Sequence, residues 1–112
     1  QMLTVSQQEL DNRLRSMQRR LRRMLPSSIS LQAASGTSSP GGGSFPLLQL
    51  PTRLIEVTLP GLTANGLEQA LRATTPPVVG RIQRDRFMLD VRTLRDEDLP
   101  LLATALMQVL ER

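Results

Sequence analysis

Leu10, Leu14, Met17, Leu21 and Leu25 recur at steps of three and four residues among polar neighbours, which puts them on one stripe of an α-helix over residues 6–25. Ser6 and Glu9 have the spacing of a capping box at its start, and Pro26 cannot continue its hydrogen-bond ladder. The apolar period then drops to two. Ile29, Leu31 and Ala33 alternate with Ser30 and Gln32, and further on Ile55, Val57 and Leu59 alternate in the same way, predicting two strands with one buried face each. Pro60 and Gly61 close the second strand, and the Ser-, Gly- and Pro-rich residues 35–46 between the two strands read as a loop.

A second helix is expected over residues 63–73, with Thr63 as its N-cap, Leu62 placed to staple onto Leu67, and Leu67, Ala70 and Leu71 as its apolar face. Pro76 and Pro77 forbid its continuation. Residues 78–91 read as a β-hairpin turning at Arg84 and Asp85. A two-residue turn pairs Ile82 with Phe87, Gly80 with Leu89 and Val78 with Val91 on one apolar face, with Gly80 leaving room opposite Leu89. The other face collects Arg81, Met88, Asp90 and, one step on, Arg92. That charged set is expected to be solvated and to hold an Arg81–Asp90 salt bridge.

A last helix begins near residue 96, where Asp96, Glu97 and Asp98 meet the positive end of its dipole and Pro100 is tolerated in its first turn. Leu99, Leu102, Ala103, Leu106, Val109 and Leu110 form its buried stripe. The order helix, strand, strand, helix, strand, strand, helix predicts one α+β domain with helices packed on one face of a small, largely antiparallel sheet.

Composition narrows the chemistry. The 112 residues, 39% hydrophobic, suit one core, and they include no Cys, His, Lys, Trp or Tyr. Thiolate and imidazole nucleophiles, soft metal sites and a Schiff-base lysine are therefore excluded, and no metal is expected. All 14 basic residues are arginine, a permanent cation that donates hydrogen bonds, so the polar chemistry favours anion binding. The absence of cysteine is compatible with a reducing cytoplasm, and neither a membrane-spanning run nor a signal-peptide pattern is visible, so no membrane partner is expected. The start at Gln1 followed by ordinary globular sequence leads us to expect a piece of a longer protein.

Charge is unevenly placed. The first helix carries Arg13, Arg15, Arg19, Arg20, Arg22 and Arg23 against Glu9 and Asp11, which accounts for the whole net charge of +4. Such a face is a solvated exterior, a contact for a membrane surface, or a contact for nucleic-acid phosphates, for which Arg15, Arg19, Arg22 and Arg23 are the candidates.

Two stretches go beyond periodicity. Gly41, Gly42, Gly43, Ser44, Phe45 and Pro46 precede Leu50 and Pro51. The runs from Pro76 to Ile82 (PPVVGRI) and from Leu89 to Leu94 (LDVRTL) follow. In that order, and with the opening MLTVSQQEL, they resemble the C-terminal part of bacterial selenocysteine synthases, the L-seryl-tRNA selenium transferases, over essentially the whole chain. Phe45 stands where that family usually has Leu, Pro40 precedes the glycines, and Arg84-Asp85 replaces a common Asp-Gly turn.

The resemblance implies the small C-terminal domain of a fold-type I pyridoxal-phosphate enzyme. Such enzymes convert seryl-tRNA to selenocysteinyl-tRNA with selenophosphate as donor, and assemble as homodecamers. The cofactor lysine and the tRNA-gripping N-terminal domain would lie in other parts of the parent protein, so this fragment would close the active site and support assembly without being catalytic alone. By analogy with fold-type I enzymes, Arg92 is a candidate for holding substrate. Gly41, Gly42, Gly43 and Ser44 are candidates for an ordered loop beside the site, since consecutive glycines let backbone amides converge on an anion and the apolar sequel is unlike a free linker. Two alternatives stand beside this reading: the small domain of a related pyridoxal-phosphate lyase acting on a phosphorylated amino sugar, and a stand-alone basic RNA-binding adaptor. Against the adaptor, the two Phe residues offer almost no stacking platform for single-stranded RNA.

Overall fold

The computed structural model describes residues 7–38, 50–75, 77, 78 and 80–111. Seven elements follow in the expected order: α1 (Gln7–Met24), β1 (Ser30–Ser38), β2 (Leu50–Thr58), α2 (Ala64–Arg72), β3 (Arg81–Gln83), β4 (Arg86–Asp90) and α3 (Asp98–Leu110). The four strands form one antiparallel sheet in the order β1-β2-β4-β3. The periodic residues explain the layering. Leu10, Leu14, Met17 and Leu21 of α1, Leu67 and Leu71 of α2, and Leu99, Leu102 and Leu106 of α3 share one buried cluster with Leu31, Ile55, Val57, Phe87 and Leu89 of the sheet. Burying stripes of this kind supplies most of the stability of such short helices.

The cap of α2 and the hairpin turn form as expected. Thr63 caps α2, its hydroxyl accepting from the Gly66 amide at 3.0 Å. Ser6 of the expected capping box lies outside the described residues. Leu62 stays 38% exposed while Leu67 is buried, so the expected staple is not a buried contact. The hairpin turns at Arg84 and Asp85, whose φ angles of 52° and 62° are both left-handed, as a two-residue turn of the mirror-image kind requires. Ile82 faces Phe87 as the turn dictates.

The structure corrects three expectations. First, β1 runs on through residues 35–38, which the loop at 35–46 was expected to include, and β2 starts at Leu50; Gly36 pairs with Thr52 and Ser35 with Arg53. Small polar residues pair because the partner strand supplies the ladder, and β1 is an edge strand, so Ala33 stays exposed where a buried position was expected.

Second, the hairpin ladder ends at Arg81 opposite Met88, without the expected Gly80–Leu89 and Val78–Val91 pairs. The Val78 amide instead donates to the Leu71 carbonyl at the end of α2, at 3.0 Å. A Cβ on Gly80 would lie 2.5 Å from Phe87 Cζ and 2.7 Å from the Met88 carbonyl oxygen, so its bare face admits the Phe87 ring and leaves no space opposite Leu89.

Third, the face of the sheet away from the helices is not an open solvated surface. Thr52, Leu54 and Met88 are buried there, and the Asp90 side chain is only 10% exposed.

Candidate functional site

The residues at the β4 end of the sheet gather around Asp90. One of its carboxylate oxygens, Oδ1, accepts from the Thr52 hydroxyl at 2.6 Å and from the Arg92 amide at 2.9 Å. Its main-chain carbonyl accepts from the amides of Thr93 and Leu94, both at 3.1 Å, so the chain folds into a tight turn over residues 91–94 immediately after the strand. The other carboxylate oxygen, Oδ2, faces Arg81 Nη2 at 3.5 Å. The expected Arg81–Asp90 pair is therefore present but long, because the carboxylate is drawn toward Thr52 and the Arg92 amide. Arg81 Nε and Nη2 are buried without a hydrogen-bond partner among the described residues. Those two nitrogens form the side-on edge with which a guanidinium grips an oxyanion.

Arg92 turns its own side-on edge to main chain. Its Nε and Nη2 donate to the Pro51 carbonyl at 3.0 and 2.7 Å, which ties the end of β4 to the start of β2. From the other side, Arg13 of α1 donates from Nε to the Val91 carbonyl at 2.7 Å and from Nη2 to the Leu94 carbonyl at 2.5 Å. The turn that carries Arg92 is thus clamped by Asp90 within its own chain segment, by β2 and by α1. Gly41, Gly42, Gly43 and Ser44 lie outside the described residues.

The six arginines of α1 divide. Arg13 is committed to the turn, and Arg20 pairs with Asp96 at 3.1 Å. Arg15, Arg19, Arg22 and Arg23 are exposed. Arg22 also bonds the Leu31 carbonyl at 3.0 Å, beside Gln18 at 2.7 Å, and Arg15 bonds Asn12 at 2.8 Å. The structure does not bring these arginines together with the Arg92 turn in one site. Sequence reasoning missed Thr52: a lone Thr after Pro51 carries no pattern, and only the pairing of Leu54 with Asp90 brings it to that carboxylate. Near the start of α3, the Arg95 amide donates to Asp98 at 2.9 Å and holds that carboxyl below its ordinary range, with the Arg95 guanidinium acting in the same sense.

Among the described residues no group of three or more His, Cys, Asp or Glu could hold a metal ion, and no helix is long and apolar enough to cross a membrane. Fold and site thus define a small α+β domain whose polar equipment is arginine, suited to bracing main chain and contacting anions. The sequence model of the L-seryl-tRNA selenium transferase family matches residues 1–95. The L-seryl-tRNA(Sec) selenium transferases of Geobacter sulfurreducens and Geobacter metallireducens are 51% and 50% identical over 108 and 105 residues, which cover 96% and 94% of this chain. That of Nitratidesulfovibrio vulgaris is 45% identical over 109 residues, or 97% of the chain. The chain belongs to the L-seryl-tRNA selenium transferase family. It spans about 23% of the length of these relatives.

Proposed function

We propose that this chain is the C-terminal part of a selenium transferase that converts seryl-tRNA to selenocysteinyl-tRNA with selenophosphate as donor. In that enzyme it serves as the small domain that closes over the active site and supports assembly with the large domain and neighbouring subunits of a homodecamer. The observation that carries this reading is that a chain belonging to the family contains 14 arginines and no lysine. Pyridoxal phosphate, the cofactor the family resemblance implies, is held through a lysine. The residues present here do not fit that attachment, so the chemical steps belong to the rest of the parent protein and the isolated chain is inactive.

What this chain contributes is positioning. Arg92, fixed on its clamped turn, and the stretch Gly41, Gly42, Gly43 and Ser44 upstream of the Pro51 that it grips are the residues proposed to meet substrate. With Nε and Nη2 given to Pro51, Arg92 keeps its Nη1 end for an anionic group.

Incubating the full-length protein with seryl-tRNA and selenophosphate, and separately with a phosphorylated amino sugar, tests the reading. Selenocysteinyl-tRNA from the first mixture is the expected result. Turnover of the sugar alone would replace the reading with that of a related lyase.

A further inference from the structure

The fold uses the six arginines of α1 differently, and the four that the sequence sets apart as phosphate candidates are the four it leaves exposed. Arg13 and Arg20 face the turn and α3, and Asp11 is taken by Arg53 at 2.6 Å. Elsewhere Arg72, Arg81, Arg86 and Arg95 are each paired with an acid. Arg15, Arg19, Arg22 and Arg23 form an exposed ridge on the side of α1 opposite its buried leucines, with Arg22 also reaching the Leu31 carbonyl and Arg15 reaching Asn12. The residues interleaved on that face, Gln8, Asn12 and Ser16, carry no charge. Arg19 and Arg23 have no hydrogen-bond or ionic partner among the described residues. From Arg15 to Arg23 the ridge runs about 12 Å along the helix at 1.5 Å per residue, long enough to face several consecutive phosphates of one strand.

We infer that this ridge docks the phosphate backbone of the tRNA substrate, as a contact that adds affinity without reading sequence. This inference rests on the function proposed above. Exposed guanidinium groups without acid neighbours bind phosphates by releasing counterions, whichever bases those phosphates carry. Base readout is disfavoured, because Phe87 is buried and the ridge has no aromatic side chain on which a base could stack. A lipid surface is disfavoured too. The apolar stripe of α1 is spent on the core, so the helix has nothing to insert below the headgroups.

The test is the affinity of the full-length protein for seryl-tRNA between about 50 and 200 mM salt, for the wild type, R19A/R23A and R72A/R95A. Alanine preserves the helix, so R19A/R23A removes charge without unfolding α1. Losing two phosphate contacts lowers the log–log salt slope by roughly 1.4–1.8, so the wild type sheds roughly seven- to twelvefold more affinity than R19A/R23A across that interval. R72A/R95A removes the same charge from acid-paired arginines and keeps the wild-type slope. A wild-type slope in R19A/R23A, or the same reduction in both double variants, overturns the inference. Seryl-tRNA turnover measured alongside separates the two levels: a wild type without turnover refutes the proposed function, whereas intact turnover with an unchanged R19A/R23A slope refutes the ridge alone.

Discussion

The outer face of α1 and the turn after β4 both display arginine, yet the same side chain does opposite things in the two places. At the turn, Arg13 and Arg92 give their side-on edges to main-chain carbonyls, and Asp90 gathers Thr52, Arg81 and the Arg92 amide. On α1, Arg19 and Arg23 project from a helix whose stability comes from its other side. A guanidinium is structural where the fold leaves carbonyls or carboxylates in need of a donor. It is available to a partner where the fold leaves it none.

If the turn is held as described, Asp90→Ala has the largest effect. It leaves the partly buried Arg81 without a counter-ion and the buried Thr52 hydroxyl without its acceptor, and costs about 3–4 kcal/mol in urea unfolding. Gly80→Ala comes next, at about 3 kcal/mol, because its Cβ would meet the Met88 carbonyl oxygen at 2.7 Å and backbone cannot step aside. Gly36→Ala sharpens that point. Its closest contact, 2.6 Å, is to the movable end of Leu54, so its cost is the smaller of the two.

At the hairpin tip, Asp85→Gly relieves a left-handed residue at φ 62° and stabilises by about 1 kcal/mol, read as a raised melting temperature. The smallest effect is electrostatic. The Asp98 carboxyl is held below its ordinary range by the Arg95 amide, so its contribution is present above the unfolded-state value and is lost as pH falls through the folded one. Asp98→Asn is therefore less stable than the wild type at neutral pH, and the gap closes on acidification through the carboxylate range.

Much of this was legible in the residues themselves. The stripes of α1, α2 and α3 and the Ile82–Phe87 pairing follow from spacing alone, since a two-residue turn leaves one register. The continuation of β1 through residues 35–38 was hidden because Ser, Gly and Thr show no alternation; its partner strand decides it. The burial of Thr52, Leu54 and Asp90 was hidden for a related reason: a face that reads as polar along one strand is covered only once several strands are assembled. The division of the arginines was legible in part: Arg15, Arg19, Arg22 and Arg23 stand apart in the sequence as the outward candidates and are the exposed ones, whereas the bonds of Arg13 to the turn and of Arg20 to Asp96 depend on which groups the fold brings to each.

The most direct measurement crosses the two regions in the full-length protein, taking amide-exchange protection of α1 and residues 91–94 together with the salt dependence of seryl-tRNA affinity for R13A and R19A/R23A. The account predicts that R13A, which loses two charge-assisted bonds worth about 1.5–3 kcal/mol each, opens the turn and keeps the wild-type salt dependence of its tRNA binding. R19A/R23A should keep its protection and show a reduced salt dependence. A reduced salt dependence with unchanged protection in R13A, or the reverse in R19A/R23A, would contradict it.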